Sequence, residues 1–350
     1  MKNMVRWGLS LLLALVIACP AGAAELKRLD TAWMPEFEAF VTWYAKQKGW
    51  DEEQGLDVRM LHFESGSRIV NESRAFDWAI AGIGAVPAVC AHLSDDLYVI
   101  AHACDETAAT AVYVRADSPV LAEKGVNAAF PNVYGSAKAL DKAQLIGPVG
   151  TSGHYVALSW LKALGVKSED VKIKNMDPRP ALNVFSRGDG QAIFLWAPST
   201  YLAEHAGFKK AASGSDLGLN LPVLLVANRE FADEHPQQIE QFLTMYLRTV
   251  DAILAEKPEA IVPEYIRFYK EWAGRDITPE MALADIKSHT LFPKQEQLAL
   301  FDTSAGQSEV QKALRPIIDL YKSEGRINKE RYERLEQLNN VTGTFLRKVQ

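Results

Sequence analysis

The segment Gly147-Pro-Val-Gly-Thr-Ser-Gly-His-Tyr155 runs directly into Val-Ala-Leu-Ser-Trp-Leu-Lys-Ala-Leu-Gly165. Gly150 and Gly153 let another group approach the main chain closely. Thr151 or Ser152 is placed to cap a helix whose Ala157, Trp160, Leu161 and Leu164 share one face, and Gly165 stops it. First-turn N–H groups lack internal partners and the helix dipole favours negative charge there. With two hydroxyls added, the turn has the chemistry of an anion cradle. The other reading is an ordinary capped helix with no ligand. Three sites are excluded. No Lys follows Gly153, as a nucleotide P-loop requires, and Gly147-x-x-Gly150-x-x-Gly153 lacks the dinucleotide spacing G-x-G-x-x-G. A serine nucleophile served by His154 fails because neighbouring helical side chains diverge and G-x-S-x-G is missing.

The elements that must hold this turn alternate. Leu26–Ala32, Leu56–Phe63, Asp77–Ala81, Leu97–His102, Ala111–Arg115 and Leu221–Ala227 read as strands, with Phe37–Lys48 and Val86–Leu93 as helices. That spacing predicts an α/β protein with mainly parallel sheets, whose ligands gather at the carboxyl ends of strands. Residues 118–144 read as an irregular insertion, and a second α/β unit follows from Leu145 to about Asn220. From Arg229 onward the chain reads as helical, several helices opening on Pro. Ser73-Arg-Ala-Phe-Asp-Trp-Ala-Ile80 echoes Ser186-Arg-Gly-Asp-Gly-Gln-Ala-Ile193 at four of eight positions, as two similar lobes would require.

The chain has 350 residues, 48% hydrophobic and 23% charged, with net charge −6 and no basic block, which argues against nucleic acid as partner. Lys2 and Arg6, the apolar run Trp7–Ala18 and Ala21-Gly22-Ala23 form a signal peptide over residues 1–23. Its removal takes two basic residues and no acid, leaving −8. Val16-Ile-Ala-Cys19 also resembles a lipobox, so lipid anchoring at Cys19 stands beside soluble export. In an oxidising compartment Cys90 and Cys104 are either a disulfide or two buried thiols. His62, His92, His102 and His205 show no HxxxH spacing, so no metal is expected.

Five stretches in order resemble the periplasmic substrate-binding proteins of ABC importers for sulfonates, taurine and nitrate, whose fold also serves thiamine-precursor proteins. They are Gly49–Ser67, Phe76–Ala88, Gly147–Tyr155, Gly188–Pro198 and Ala227–Leu243. The resemblance implies a two-lobed periplasmic-binding-protein fold of type II, with parallel-dominated sheets in each lobe and a helical C-terminal part. It places lobe 1 at 24–117 and 223–350, and lobe 2 at 118–222. Carried over by position, the ligand residues are Trp33, Glu38, Ser65, Gly66, Ser67, Gly84, Ala85, Thr151, Ser152, Gly153, His154 and Trp196. The hydroxyls and main-chain N–H groups would hold an oxyanion, Trp33 and Trp196 would form apolar walls, and His154 would donate or add charge. Trp33 and Trp196 also fit a core. Glu36 and Glu38 fit either solvated helix-start acids or contacts to a ligand amine, and an acidic loop departs from a site built for anions alone.

The resemblance implies a monomeric periplasmic protein that captures a small anionic or zwitterionic ligand, sulfonate- or taurine-like, for an inner-membrane ABC permease. Nitrate and thiamine-precursor-like ligands are the alternatives. An enzyme on the same fold is disfavoured because no cysteine cluster is present, and no cofactor is implied.

Overall fold

The computed structural model describes residues 25–72, 77–91 and 96–349. The expected signal peptide, Cys19, His92 and part of the Ser73–Ile80 echo lie outside the described residues.

Two five-stranded sheets organise the chain. The first has the order β2-β1-β3-β10-β4, built from β1 (Lys27–Trp33), β2 (Leu56–His62), β3 (Ile80–Gly84), β4 (Leu97–Asp105) and β10 (Pro222–Asn228). The second has the order β7-β6-β8-β5-β9, built from β5 (Thr110–Val114), β6 (Gln144–Gly147), β7 (Lys172–Asn175), β8 (Ala192–Trp196) and β9 (Lys209–Ser213). β1 pairs in parallel with β2 and β3, and β10 runs antiparallel between β3 and β4. The second sheet repeats the pattern, with β6 parallel to β7 and β8 and β5 antiparallel between β8 and β9. Four of five strands in each sheet therefore point one way, so the sheets are parallel-dominated in direction although mixed in pairing. β3 and β8 occupy the same place in the two orders, and the described ends of the two echoing segments, Ala79-Ile80 and Ala192-Ile193, lead into them.

Lobe membership differs from expectation at one point. β5 belongs to the second sheet, so the chain leaves the first sheet at Asp105, one strand earlier than the boundary at 117. The two crossovers are residues 106–109 and 214–221. The strand expected at Asp77–Ala81 begins instead at Ile80 and runs on through Gly82 to Gly84. Gly82 belongs inside it for packing reasons, since a Cβ there would come within 2.7 Å of Glu38 Cγ and of the Trp33 ring.

In the first lobe the helices are α1 (Phe37–Gln47), α2 (Trp50–Glu53), α3 (Gly66–Asn71) and α4 (Ala85–Ala91). α5 (Ser152–Ala163), α6 (Pro178–Ser186) and α7 (Ser199–His205) flank the second sheet. The remainder is α8 (Arg229–Glu234), α9 (Pro236–Leu254), α10 (Pro258–Glu271), α11 (Pro279–Ser288), α12 (Lys294–Leu300), α13 (Glu309–Ser323) and α14 (Lys329–Leu335). α6, α9, α10 and α11 each open on Pro, whose missing donor costs nothing in a first turn. Ser308 and Gln311 close a capping box on α13. The insertion 118–144 packs on α5, with Trp160 Nε1 donating to the Tyr134 carbonyl at 2.8 Å.

Candidate functional site

Four helices start where strands of one lobe end facing the other: α1 after β1, α3 after β2, α4 after β3 and α5 after β6. α5 begins as its sequence demands. Thr151 is the N-cap, its hydroxyl accepting from His154 N at 3.3 Å and donating to the Pro148 carbonyl at 2.6 Å. Gly165, at φ 70°, ends it, with Val166 N bonded to Leu161 O at 2.9 Å. The opposing turns are tight for a definite reason. A Cβ on Gly66 would lie 2.8 Å from Pro87 Cγ, and one on Gly84 would lie 2.7 Å from Ser152 Oγ and 3.0 Å from Glu106 Oε1. Glycine at 84 therefore lets the lobes meet.

The lobes are shut on each other. Ser67 Oγ donates to the carbonyls of Val149 and Gly150 at 3.2 and 3.0 Å. Arg68 Nε pairs with Asp177 at 2.9 Å, and Ser65 Oγ reaches the same carboxylate at 3.4 Å. Deeper in, Trp196 Nε1 donates to Glu36, and Ser152 Oγ donates to Glu106 at 2.5 Å. These contacts leave a cavity of about 10 Å³, lined by Met34, Glu36, Gly66, Gly84 and Pro87 on one side. Glu106 of the first crossover and Thr151, Ser152 and Trp196 of the second lobe complete it. That is roughly the space of one water.

The floor of the cleft is acidic and buried. Burial first, then the charges of Glu38 and Glu106, holds Glu36 well above the usual carboxyl range, against the lowering effect of the Trp196 bond. Burial likewise pushes Glu106 to about 7, opposed by Ser152. Glu38 rises to about 8, again through burial. It is 1% exposed, and neither of its carboxyl oxygens has a hydrogen-bond partner of good geometry. Beneath them His289 stacks on Phe37 at 5.2 Å and pairs with Asp285 at 3.2 Å. Burial alone would lower its pKa, but the bonds and charge of Asp285 outweigh that and raise it to about 9. The resulting imidazolium is a counter-charge to the acids.

The site residues expected from sequence divide. Ser65, Gly66, Ser67, Gly84, Thr151, Ser152 and Trp196 line the cleft or bridge it, and Ala85 is the buried first residue of α4. Glu38 belongs to the buried acid cluster. Glu36 and Glu38 are therefore not solvated acids. Three residues lie elsewhere. Trp33 is fully buried against Phe242, at 6.2 Å, with its Nε1 on Thr31. The last residue of β1 points that ring into the core under α9 rather than across the cleft. His154 is fully buried, with Nδ1 on Tyr321 of α13 at 2.9 Å, and burial drives its pKa down to about 3. A neutral core imidazole brings no charge to a ligand. Gly153 serves helix–sheet packing, a Cβ there lying 3.4 Å from Leu195 N.

Of the two alternatives for the cysteines, the structure has the pair of separate thiols. Cys90 and Cys104 are both free. The Cys90 thiol faces Tyr321 and Arg331, whereas Cys104 faces the acid cluster and Tyr246. Each thiol is turned into a separate environment.

Glu106 was not legible in the sequence. It follows the long apolar strand β4 with no periodicity to mark it, and only the crossover geometry turns it inward. Among the described residues no group of three or more His, Cys, Asp or Glu is arranged to hold a metal ion.

Over residues 22–265 the chain matches the NMT1-like family, and it belongs to that family. A Brachyspira hyodysenteriae protein, provisionally named an ABC transporter periplasmic binding protein, is 24% identical over 276 residues, covering 79% of each chain. The taurine-binding periplasmic protein of Escherichia coli K12 is 25% identical over 219 residues, covering 61% of each chain. Among solved structures, the alkanesulfonate-binding protein SsuA from Xanthomonas axonopodis pv. citri, bound to MOPS, superposes with a TM-score of 0.69. That match covers 91% of this chain and 99% of the other at 18% identity, and establishes the two-lobed periplasmic-binding-protein fold.

Proposed function

We propose that this chain is the solute-binding component of an ABC importer, exported to the periplasm by residues 1–23, monomeric and without catalytic activity. It closes two lobes over a small organic ligand of sulfonate or taurine type and presents it to an inner-membrane permease. The observation that carries this reading is the pair of shut lobes joined by two crossovers, with polar side chains of each reaching the other across a nearly filled cavity. A ligand enters only if such lobes hinge apart, and it drives closure through contacts that exist only when they are shut. The start of α5, Ser152 Oγ and Trp196 Nε1 supply donors of the kind sulfonate oxygens accept. The names of the taurine- and alkanesulfonate-binding relatives support the ligand class.

The test is a thermal-shift and small-angle scattering titration of the mature chain with taurine and short alkanesulfonates. A ligand at a hundred times its Kd adds about 2.7 kcal/mol of stability. The radius of gyration is expected to fall at saturation. A stabilising ligand that leaves the scattering curve unchanged sinks the clamp.

A further inference from the structure

We propose that the cleft is split by polarity, so that it selects a zwitterion in one orientation: a protonated amine against Glu36 and Glu106, and an acidic group against Ser152, Trp196 and the start of α5. The inference rests on the solute-binding reading above and adds the ligand's charge pattern and direction.

Two inter-lobe bonds carry it. Trp196 Nε1 donates to Glu36, and Ser152 Oγ donates to Glu106. In both pairs the second lobe supplies the donor, while the first lobe or the crossover supplies the carboxyl. The free N–H groups at the start of α5 add to the donor side. In the closed structure the protein's own carboxyls thus fill the place where the helix start would hold an anion. A ligand that parts the lobes separates both pairs at once. It must give the carboxyls a new donor and give Ser152 and Trp196 a new acceptor, because polar groups left unpaired in a closed site are costly.

A ligand with acid groups alone brings no strong donor to the carboxyls and leaves them unpaired in the closed site. A purely cationic one leaves the donors of the second lobe unanswered. An amine and an acid on one small molecule replace the two bonds pair for pair.

A second observation points to the amine. Glu38 is 1% exposed, neither of its oxygens has a hydrogen-bond partner of good geometry, and it lies close enough to act on Glu36 and to be acted on by Glu106. Gly82 is required beside it, since a Cβ there would strike Glu38 Cγ at 2.7 Å. A buried carboxyl without a partner adds nothing to the fold. A protonated amine close above would give that carboxyl a counter-charge, since the His289–Asp285 pair beneath is a cation and a carboxylate with no net charge.

The experiment is calorimetry of the mature wild-type chain at pH 7 with matched probes. The pairs are taurine and isethionate, β-alanine and 3-hydroxypropionate, and 4-aminobutyrate and 4-hydroxybutyrate; ethanolamine is the amine lacking an acid. At least one amino acid or aminosulfonate is expected to bind 30-fold or more tighter than its hydroxyl partner and than ethanolamine. Glu106→Gln is expected to weaken that probe at least tenfold while the hydroxyl partner changes less than threefold. Hydroxyl partners that bind within threefold of the amines overturn the amine site and leave the solute-binding reading intact. Ethanolamine binding as tightly as the best zwitterion overturns the acid half. Binding by none of the seven probes counts against both readings. The wild-type comparison stands even if the variant does not fold.

Discussion

The two lobes bring opposite chemistry to one cleft. The first lobe and its crossover present carboxyls, with Glu36 at the start of α1 and Glu106 just past β4. The second presents hydroxyl and indole donors, with Ser152 opening α5 and Trp196 ending β8. Both α1 and α5 are helix starts with unsatisfied N–H groups and the same dipole sense. They differ in where the acidic side chain comes from. α1 carries its own acids in its cap and first turn, whereas α5 takes a carboxylate from the crossover through Ser152. A helix start alone therefore does not tell whether its anion will be a ligand or a side chain. The answer depends on which acid the rest of the fold delivers to it.

The largest effect is expected where the two sides touch. In Gly84→Val the new side chain occupies the space of Ser152 Oγ and Glu106 Oε1, so the lobes cannot close. Overpacking of this kind costs about 1–3 kcal/mol. Because the clash exists only in the shut state, it is expected as a loss of roughly 10- to 100-fold in affinity, with the circular dichroism spectrum unchanged. Wild-type affinity in this variant would mean the lobes do not meet at Gly84.

The acid side makes the ligand-free protein sensitive to alkali. Glu106 and Glu38, held up at about 7 and 8, and His289, held up at about 9, keep protons in the folded state that the unfolded chain has released. Their stabilising contribution is complete below their unfolded values and is lost as pH rises through the folded ones. His102 and His154, lowered to about 4 and 3, act the other way, losing stability only as pH falls below the ordinary histidine value. With Glu36 also held well above the usual carboxyl range, the raised acids outnumber these two histidines, so stability should decline from about pH 5 and more steeply above 6.5, where the histidines no longer oppose it, by on the order of a few kcal/mol by pH 8. Urea titrations across that range measure it. Glu38→Gln with Glu106→Gln should flatten the decline, and an unaltered slope would place the titration elsewhere.

Glu38→Leu removes a buried acid that has no partner. It is expected to raise stability by about 1–2 kcal/mol while weakening amine binding, a gain obtained by giving up a functional group. Equal or lower stability would show that Glu38 supports the fold. The smallest effect belongs to the rim. Arg68 is 52% exposed in its pair with Asp177, so Arg68→Ala should change affinity by less than about 1 kcal/mol, and less still in high salt.

Much of the fold was legible in the residues themselves. Short apolar strands alternating with amphipathic helices, Pro at helix starts and Gly165 at a helix end act through local sterics and hydrogen bonding, so the sequence carries them directly. β3 and its counterpart β8 could be matched for the same reason. The glycine–hydroxyl turn at 150–153 was legible as a helix start whose N–H groups lack partners. Local rules also misled in places. Trp33, Gly153 and His154 have the right chemistry and chain position for a ligand site, yet the twist and packing of β1, α5 and α13 turn them into the core.

By itself, then, the sequence determined the α/β class, the two-lobe order, the helix starts that meet at the cleft, and the residues able to donate there. Tertiary structure alone decided that the cleft floor is a cluster of carboxyls. Glu36, Glu38 and Glu106 come together only because β1, β3 and β4 lie in one sheet and the chain leaves that sheet at Asp105. Burial then raises their pKa values, because desolvation depends on what surrounds a carboxyl and not on its neighbours along the chain. The same holds for Cys90 and Cys104: the directions of their side chains in the folded protein, which spacing does not encode, leave them as two free thiols.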